Sequence, residues 1–234
     1  MRYKCRVILI PWDYESAAHR AVLLKQREDC GWHNEKVEKE WREAQAKGDK
    51  CIYWIVLLSD DSHMTEEMEC HLRFKASERL RDTARSINGA PRWASQQAFI
   101  PVGHISIDRL NAETKHVNLN IPSIGVFWIK TFYVSHSVQG QGIGRAAMDE
   151  AEKMVVREPF NARVLMLDTI QRDDNLREEF VKAAYGSLPK IQSQDWYARR
   201  GYRVIRTVQN FYTILDRSGK SWDTKTVFMR KDIA

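Results

Sequence analysis

Apolar positions along the chain predict strands that alternate with helices. The nearly unbroken apolar run at residues 51–58 is typical of a buried strand. Alternating runs predict further strands at residues 5–10, 99–107, 127–134, 164–167, 202–209 and 225–229. Helical spacing predicts helices at residues 17–30, 34–46 (capped by Asn34), 65–86, 142–156, 174–184 and 194–200. Strands alternate with helices, but near both ends of the chain some successive strands are close enough in sequence to form hairpins. We therefore expect an α/β fold with a mixed sheet and helices on both faces.

Length and composition predict a single domain over residues 1–234, with insertions at about 59–97 and 171–191. The net charge of +6 is spread along the chain without a Lys/Arg run, so we expect no nucleic-acid partner. The four cysteines lack a CxxC spacing, which predicts free thiols and no metal site. No apolar run approaches the roughly 18 to 20 residues that span a bilayer, and no signal-peptide pattern is found. We therefore expect a cytoplasmic protein without membrane contact.

The segment from Val134 to Arg145 carries the strongest chemical signal. Glycines at positions 140, 142 and 144 alternate with larger residues, between the strand predicted at 127–134 and the helix predicted at 142–156. Since glycine has no side chain, backbone N–H groups at a helix N-terminus can approach a phosphate closely there. The segment therefore predicts a site for a phosphate-bearing ligand.

Two other phosphate-binding patterns compete for this segment. Gly142-Ile-Gly144-Arg-Ala-Ala147 fits the looser GxGxxA dinucleotide fingerprint, and Asp168 lies near the position of a ribose-binding acid. In that fingerprint the glycine turn follows its strand directly. Here the strand is predicted to end at Val134, and Gln139, which precedes the glycines, comes five residues later. A nicotinamide or flavin site is therefore the weaker alternative. The phosphate loop of nucleoside triphosphatases is excluded, because no Gly-Lys-Ser/Thr follows the glycines.

Two motifs, in order along the chain, resemble those of the GNAT superfamily of N-acetyltransferases. The family's coenzyme loop, Gln/Arg-x-x-Gly-x-Gly/Ala, is matched by Gln139, Gly140, Gly142 and Gly144. Tyr197 precedes Gly201-Tyr202 by four residues, as in the family's late helix, and the last strand ends in Lys231-Asp232. One departure is Lys190, which stands where the family often has an asparagine. The similarity in element order covers the whole chain and is closest over residues 100–232.

The resemblance implies a GNAT-type central sheet, mixed and mostly antiparallel, with acetyl-CoA as the acyl donor substrate and no metal. It implies that the backbone of Phe132, Tyr133 and Val134 lies along the pantetheine. It implies that the coenzyme's pyrophosphate is held by the loop residues Gln139, Gly140, Gln141, Gly142, Ile143, Gly144 and Arg145. Tyr197 is implied as the catalytic residue that hydrogen-bonds the leaving thiolate.

We therefore predict an N-acetyltransferase that acts on a primary amine of a small molecule, by direct transfer in a ternary complex. The bulky insertions favour a closed acceptor pocket, with the loop at residues 29–33 and the aromatic residues Phe211, Tyr212 and Trp222 as its expected walls. A monomer or homodimer is expected. A protein or peptide acetyltransferase, modifying lysines or N-termini, is the alternative, and a non-catalytic acyl-CoA-binding regulatory protein is the second. The general base is not identified, and its candidates are His104, His136, Asp168 and Thr169.

Overall fold

The structure is a computed structural model that describes residues 5–58, 64–186, 191–216 and 218–233. The chain divides into two compact units. The first comprises residues 1–111 and 127–162, and the second comprises residues 112–126 and 163–234. Lys190 and the segment 59–63, which the sequence assigns to the two insertions, lie outside the described residues.

In its described residues, the first unit contains a sheet of long antiparallel strands, four α-helices and two small ribbons. Its elements are β1 (Val7–Pro11), α1 (Ala17–Cys30), α2 (Arg42–Lys47), β2 (Lys50–Leu57), α3 (Glu66–Phe74), β3 (Leu80–Arg81), β4 (Ser86–Ile87), β5 (Ala90–Pro91), β6 (Ala98–Phe99), β7 (Gly103–Asp108), β8 (Val126–Val134) and α4 (Ile143–Val155). β2 pairs with β1 and β7, and β7 pairs with β8, all antiparallel. The ribbons pair β3 with β6 and β4 with β5.

Cap residues fix the ends of α1, and the helix predicted after it is more irregular than expected. The Ser16 side chain accepts a hydrogen bond from the His19 amide, and Gly31 closes α1 with φ 78°. The helix predicted at 34–46 is a 3-10 turn, a π-helical stretch (Val37–Trp41) and α2 in succession. Its cap is His33 in the left-handed conformation, so the prediction of Asn34 as cap was wrong.

The helix predicted at residues 65–86 is correct only in its first half. Thr65 caps α3, which ends at Phe74. Beyond it, the Asp82 carboxylate accepts hydrogen bonds from both Nη atoms of Arg92, at 2.6 and 2.8 Å, and from the amide of Ser95 at 3.0 Å. These partners lie ten and thirteen residues ahead of Asp82. If the helix continued through this segment, Arg92 and Ser95 would lie too far along its axis to contact Asp82. The contacts stabilise a folded-back loop instead.

The core of the first unit gathers residues of β2, of α1 and of the π-helical stretch Val37–Trp41. The buried cluster is made largely of aromatic and branched residues: Trp12, Val22, Leu23, Val37, Trp41, Ile52, Trp54, Val56, Leu80 and Phe99. Every residue of β2 is buried, as its unbroken apolar run predicted. This strand therefore anchors the neighbouring β7, and β7 in turn carries β8.

The described part of the second unit contains three long antiparallel strands, two α-helices and one short hairpin. Its elements are β9 (Val164–Ile170), α5 (Glu178–Tyr185), α6 (Ser193–Ala198), β10 (Arg203–Gln209), β11 (Ile214–Leu215), β12 (Ser221–Trp222) and β13 (Lys225–Asp232). β13 pairs antiparallel with both β9 and β10, and β11 pairs with β12. The predicted α/β fold with mostly antiparallel strands is thus confirmed. That residues 1–234 form one domain stays a prediction.

Candidate active site

A bulge interrupts β8 just before its C-terminal end. His104 of β7 lies opposite Tyr133, and Ser106 lies opposite Lys130, so β8 has one residue more than β7 over this stretch. Thr131 in the bulge has φ 46°, in the left-handed region that β-branched residues avoid. The sequence predicts an unbroken strand here, and its alternation of apolar and polar residues gives no sign of the bulge.

Gly103 lets β7 approach β8 unusually closely at this point. A Cβ atom at position 103 would overlap the carbonyl oxygen of Tyr133 and would lie 3.0 Å from the Cα of Val134. Real Cβ atoms essentially never make such contacts with backbone. The course of Tyr133 and Val134 therefore depends on the missing side chain of Gly103.

The side chain of Gln139 closes the turn that follows β8. Its Nε2 atom donates to the carbonyl oxygen of Val134 at 2.8 Å and lies 3.3 Å from Nδ1 of His136. The amide of Ser135 donates to the carbonyl of Val102 at 2.9 Å, which ties the turn to the start of β7. The side chain of Gln139 thus holds the turn that precedes the glycines.

The glycines after this turn expose a run of backbone amides. Gly140 and Gly142 have φ values of 87° and 83°, which favour glycine, and α4 starts directly afterwards at Ile143. In the described part of the chain, the amides of residues 140–144 donate to no backbone carbonyl. The first turn of a helix has such unsatisfied donors and a positive dipole end. The loop can therefore hold an anion such as a phosphate.

Two of the candidate general bases contact neighbouring segments through their ring nitrogens. His104 is fully buried, with Nδ1 2.7 Å from Oε1 of Gln26 and Nε2 3.4 Å from Nη1 of Arg27. Burial, with the charges of Arg27 and Lys50, holds the pKa of His104 well below its usual value. Nε2 of His136 lies 3.2 Å from the carbonyl oxygen of Asp29. Both imidazoles thus contact neighbouring segments of the first unit.

Tyr197 lies on α6 in the second unit, among aromatic side chains. Its ring packs edge-on against Trp196 and Tyr202, with centroids 5.0 and 5.9 Å apart. Burial, together with the negative charge of Asp168, raises the pKa of the Tyr197 phenol, and the positive charge of Arg200 opposes that rise. The phenol is therefore protonated at neutral pH and can donate a hydrogen bond.

Asp168 belongs to a polar group that the sequence revealed only in part. The hydroxyl of Tyr212 donates to Oδ2 of Asp168 at 2.8 Å and lies 3.3 Å from Oε2 of Glu113. Burial and the two carboxylates raise the pKa of Tyr212. Thr169 is the next residue on β9, so strand alternation points its side chain to the opposite face. Glu113 was not among the candidate residues, since it follows a region without a clear pattern.

The insertion at 171–191 packs on the short hairpin of the second unit. Phe180 of α5 is fully buried, and its ring centroid lies 5.6 Å from that of Trp222 on β12. The guanidinium of Arg177 stacks over both rings, 5.4 Å from the Phe180 centroid and 5.9 Å from the Trp222 centroid. Nε1 of Trp222 donates to Oδ2 of Asp216 at 2.8 Å. Trp222 thus joins the hairpin to the insertion.

The comparisons with known proteins identify the family of the chain. A family model described as "Acetyltransferase (GNAT) family" matches residues 53–183, more than half of the chain. The chain belongs to the GNAT acetyltransferase family. It is accordingly an acyltransferase, which argues against the non-catalytic alternative and against a dinucleotide site. A comparison with curated proteins found no significant match.

Solved structures share the fold of this acetyltransferase at low sequence identity. Arabidopsis thaliana NAA60 in complex with a bisubstrate analogue is 15% identical, with a TM-score of 0.53, covering 97% of this chain and 99% of that chain. An aminoglycoside 6'-N-acetyltransferase complexed with coenzyme A is 15% identical, with a TM-score of 0.52 and 97% of each chain covered. The ribosomal L7/L12 alpha-N-protein acetyltransferase RimL is 12% identical, with a TM-score of 0.50, covering 97% of this chain and 94% of that one.

Within this acetyltransferase, the residues predicted to contact the coenzyme form one continuous segment of the first unit. They run from Phe132 through the bulged end of β8 and the glycine loop to Arg145 in the first turn of α4. Tyr197 belongs to the second unit, with Asp168 and Tyr212. The individual roles of these residues stay predictions. Among the described residues, no helix is long and apolar enough to cross a membrane.

Proposed function

We propose that this acetyltransferase transfers the acetyl group of acetyl-CoA to a primary amine of a small molecule, directly within a ternary complex. The observation that carries the proposal is the Asp168–Tyr212–Glu113 group beside the protonated Tyr197. Carboxylates attract a protonated amine and can take its proton. A protonated phenol can stabilise a leaving thiolate.

The donor is bound through backbone groups. The exposed amides of residues 140–144 and the N-terminus of α4 suit the pyrophosphate of coenzyme A. Upstream of them, the bulged backbone of Phe132, Tyr133 and Val134 is the proposed contact for the pantetheine. The amide of Val134 is the proposed donor that polarises the thioester carbonyl.

Tyr197 acts as a hydrogen-bond donor rather than as a full acid. An ordinary phenol has a pKa of about 10 and a thiol one of about 8.5, so complete proton transfer to the thiolate is already uphill. Burial of Tyr197 raises the pKa of its phenol further, which makes that transfer still less favourable. A hydrogen bond to the sulfur atom needs no transfer, and it becomes stronger as charge develops there.

Asp168 is the proposed acceptor of the amine proton. An alkylammonium of pKa about 10.4 costs roughly 4 to 5 kcal/mol to deprotonate at pH 7. The ammonium first passes one proton to the Asp168 carboxylate. The neutral amine nitrogen then forms a bond to the thioester carbon, the C–S bond breaks, and the second proton lost by the nitrogen passes to the leaving thiolate, so that coenzyme A is released as the free thiol. The hydrogen bond from Tyr212 fixes the orientation of this carboxylate.

The choice of a small amine over a peptide rests on the packing of the second unit. Phe180 and Arg177 of the 171–191 insertion cover Trp222 of the hairpin, where an open peptide groove would need free surface. A protein or peptide N-acetyltransferase remains the second candidate. Asp168 and Glu113 would suit an N-terminal α-amine as well as a small-molecule amine.

The test is thiol release from acetyl-CoA with a panel of small amines and peptides. We expect turnover with small amines, and Asp168→Asn should lower kcat/KM about 10- to 100-fold at pH 7. Raising the pH should restore part of that loss, because more of the amine is then neutral. Asp195→Asn, which removes an exposed carboxylate of α6 that pairs with Arg172, is the matched control and should behave as wild type. Turnover of peptides alone would refute the small-molecule proposal, and acetyl-CoA binding without any turnover would refute the catalytic one.

A further inference from the structure

A buried charged network lies beneath the bulge of β8. Lys50 is the first residue of β2, and its Nζ atom donates to Oδ2 of Asp108 at 2.7 Å and to Oγ of Ser106 at 3.1 Å. Lys50 and Asp108 are each 6% exposed, and Ser106 is fully buried. The Nζ atom also lies 4.8 Å from the centroid of the Trp41 ring, which covers it from one side.

The network reaches the bulge through one hydroxyl group. Oγ1 of Thr131 donates to Oγ of Ser106 at 2.6 Å. The chain Asp108–Lys50–Ser106–Thr131 therefore connects the ion pair where β2 begins and β7 ends to the one residue of β8 with a positive φ. This φ of 46° is strained for a β-branched residue, and such strain persists where surrounding contacts hold the backbone in place.

The identity of residue 131 is informative. Glycine is the usual residue at a left-handed position of a β-bulge, because it adopts that conformation without a steric cost. A threonine here leaves the backbone strained and supplies a hydroxyl, which donates a hydrogen bond to Oγ of Ser106. The hydroxyl fixes where the chain turns, immediately before Phe132, Tyr133 and Val134.

We propose that Lys50 and Ser106 are positioning residues for acetyl-CoA, which act through the Thr131 hydroxyl to hold the bulge that orients the backbone of residues 132–134. The inference rests on the proposed function in one respect, namely that these three residues bind the pantetheine. The hydrogen bond from Lys50 keeps Ser106 in place, and Ser106 accepts a hydrogen bond from the Thr131 hydroxyl. None of these three side chains needs to contact the coenzyme.

A series at position 131 tests the proposal, with acetyl-CoA affinity measured by calorimetry and stability measured by thermal melting. Thr131→Ser keeps the hydroxyl and should bind within about twofold of wild type. Thr131→Val removes only the hydroxyl and should bind about tenfold more weakly, as expected for one lost hydrogen bond. Thr131→Gly should also bind about tenfold more weakly, while its melting temperature stays near that of wild type because relief of the strain offsets the lost bond. A purely structural role predicts instead that affinity follows stability.

Two further variants test the inner part of the network. Ser106→Ala should weaken binding about as much as Thr131→Val. Lys50→Met alone leaves the Asp108 carboxylate buried without its cation, so the double variant Lys50→Met/Asp108→Asn is used, and it should also bind about tenfold more weakly. Asp82→Asn, which breaks an ion pair elsewhere in the first unit, is the control that lowers stability without changing affinity.

Normal affinity in Thr131→Val and Ser106→Ala would overturn the inference, as would an equal loss in Thr131→Ser. If wild type itself does not bind acetyl-CoA, the proposed function fails. Crystal structures of Thr131→Val and Ser106→Ala then decide the positioning claim. A shifted backbone at residues 131–134 supports it, and an unchanged bulge refutes it.

Discussion

The glycine loop of the first unit and the Tyr197 group of the second unit, the two proposed parts of the site, are built in different ways. The loop is one continuous segment, and the groups that it offers are backbone amides that donate to no backbone carbonyl in the described residues. The Tyr197 group collects side chains from separate segments, including Glu113, Asp168 and Tyr212. The loop should therefore be sensitive to any added Cβ atom that obstructs the backbone, and the group should be sensitive to the loss of single polar atoms.

The largest effect is expected from Gly103→Ala, which adds one methyl group next to β8. The new Cβ would overlap the Tyr133 carbonyl oxygen, so β8 must move. We expect the free energy of unfolding to fall by about 2 to 3 kcal/mol, a typical cost of overpacking. Acetyl-CoA affinity should fall by more than about 100-fold, since residues 132–134 shift together. Urea unfolding and calorimetry measure the two effects, and normal binding in this variant would contradict a backbone site at β8.

Tyr197→Phe is the counterpart in the second unit, since it removes one oxygen atom and keeps the packed ring. We expect kcat to fall about 100-fold, the scale of a lost proton or hydrogen-bond donor at a reacting atom. The KM for acetyl-CoA and the melting temperature should stay near wild type. Tyr202→Phe removes the hydroxyl from the neighbouring aromatic residue and serves as control. Equal losses in the two variants would indicate packing rather than catalysis.

The two regions also differ in how far sequence alone could predict them. The glycine turn lies where the sequence predicts it because its pattern is local, and α4 begins within one residue of the expected position, whereas the contact of this loop with the coenzyme stays a prediction. The bulge at Thr131 was missed, since threonine is a common strand residue and the contact that holds it comes from Ser106, twenty-five residues away. Glu113 was missed for the same reason, because its partner Tyr212 is ninety-nine residues distant. Local patterns report periodicity and turn chemistry, whereas polar groups of this kind are assembled by the tertiary fold.

The Asp82, Arg92 and Ser95 side chains form a polar cluster to compare with the Tyr197 group, and we expect this cluster to contribute to stability and not to acetyl-CoA binding. Burial would raise the pKa of Asp82, but Arg92 and Ser95 outweigh it and lower that pKa to about 2. A carboxyl with a pKa below its unfolded value of about 3.9 stabilises the fold above that pH. The stabilisation is lost as the pH falls from about 4 towards 2.

We therefore expect the melting temperature of Asp82→Asn to lie several degrees below that of wild type at pH 7, with the difference closing as the pH falls through this window. Thermal melts at pH 7, 4, 3 and 2 measure it. A constant difference at all pH values would contradict the ion pair as its cause. A change in acetyl-CoA affinity would show that the cluster is not separate from the site.

The smallest and most discriminating effect is expected from Gly144→Ala, the matched change to Gly103→Ala. Gly144 lies in the first turn of α4 without a positive φ, and a Cβ there would meet only Cζ of Phe132 at 3.5 Å and Cγ2 of Val134 at 4.0 Å. The protein has room for this methyl group, and alanine favours a helix by about 0.5 to 1 kcal/mol over glycine. Stability should therefore rise by about that amount. Because the loop pattern accepts alanine at this position, acetyl-CoA affinity should stay within about twofold of wild type in the same variant. A clear loss of affinity in this more stable protein would contradict that expectation, and it would show that a ligand approaches position 144 too closely for a methyl group.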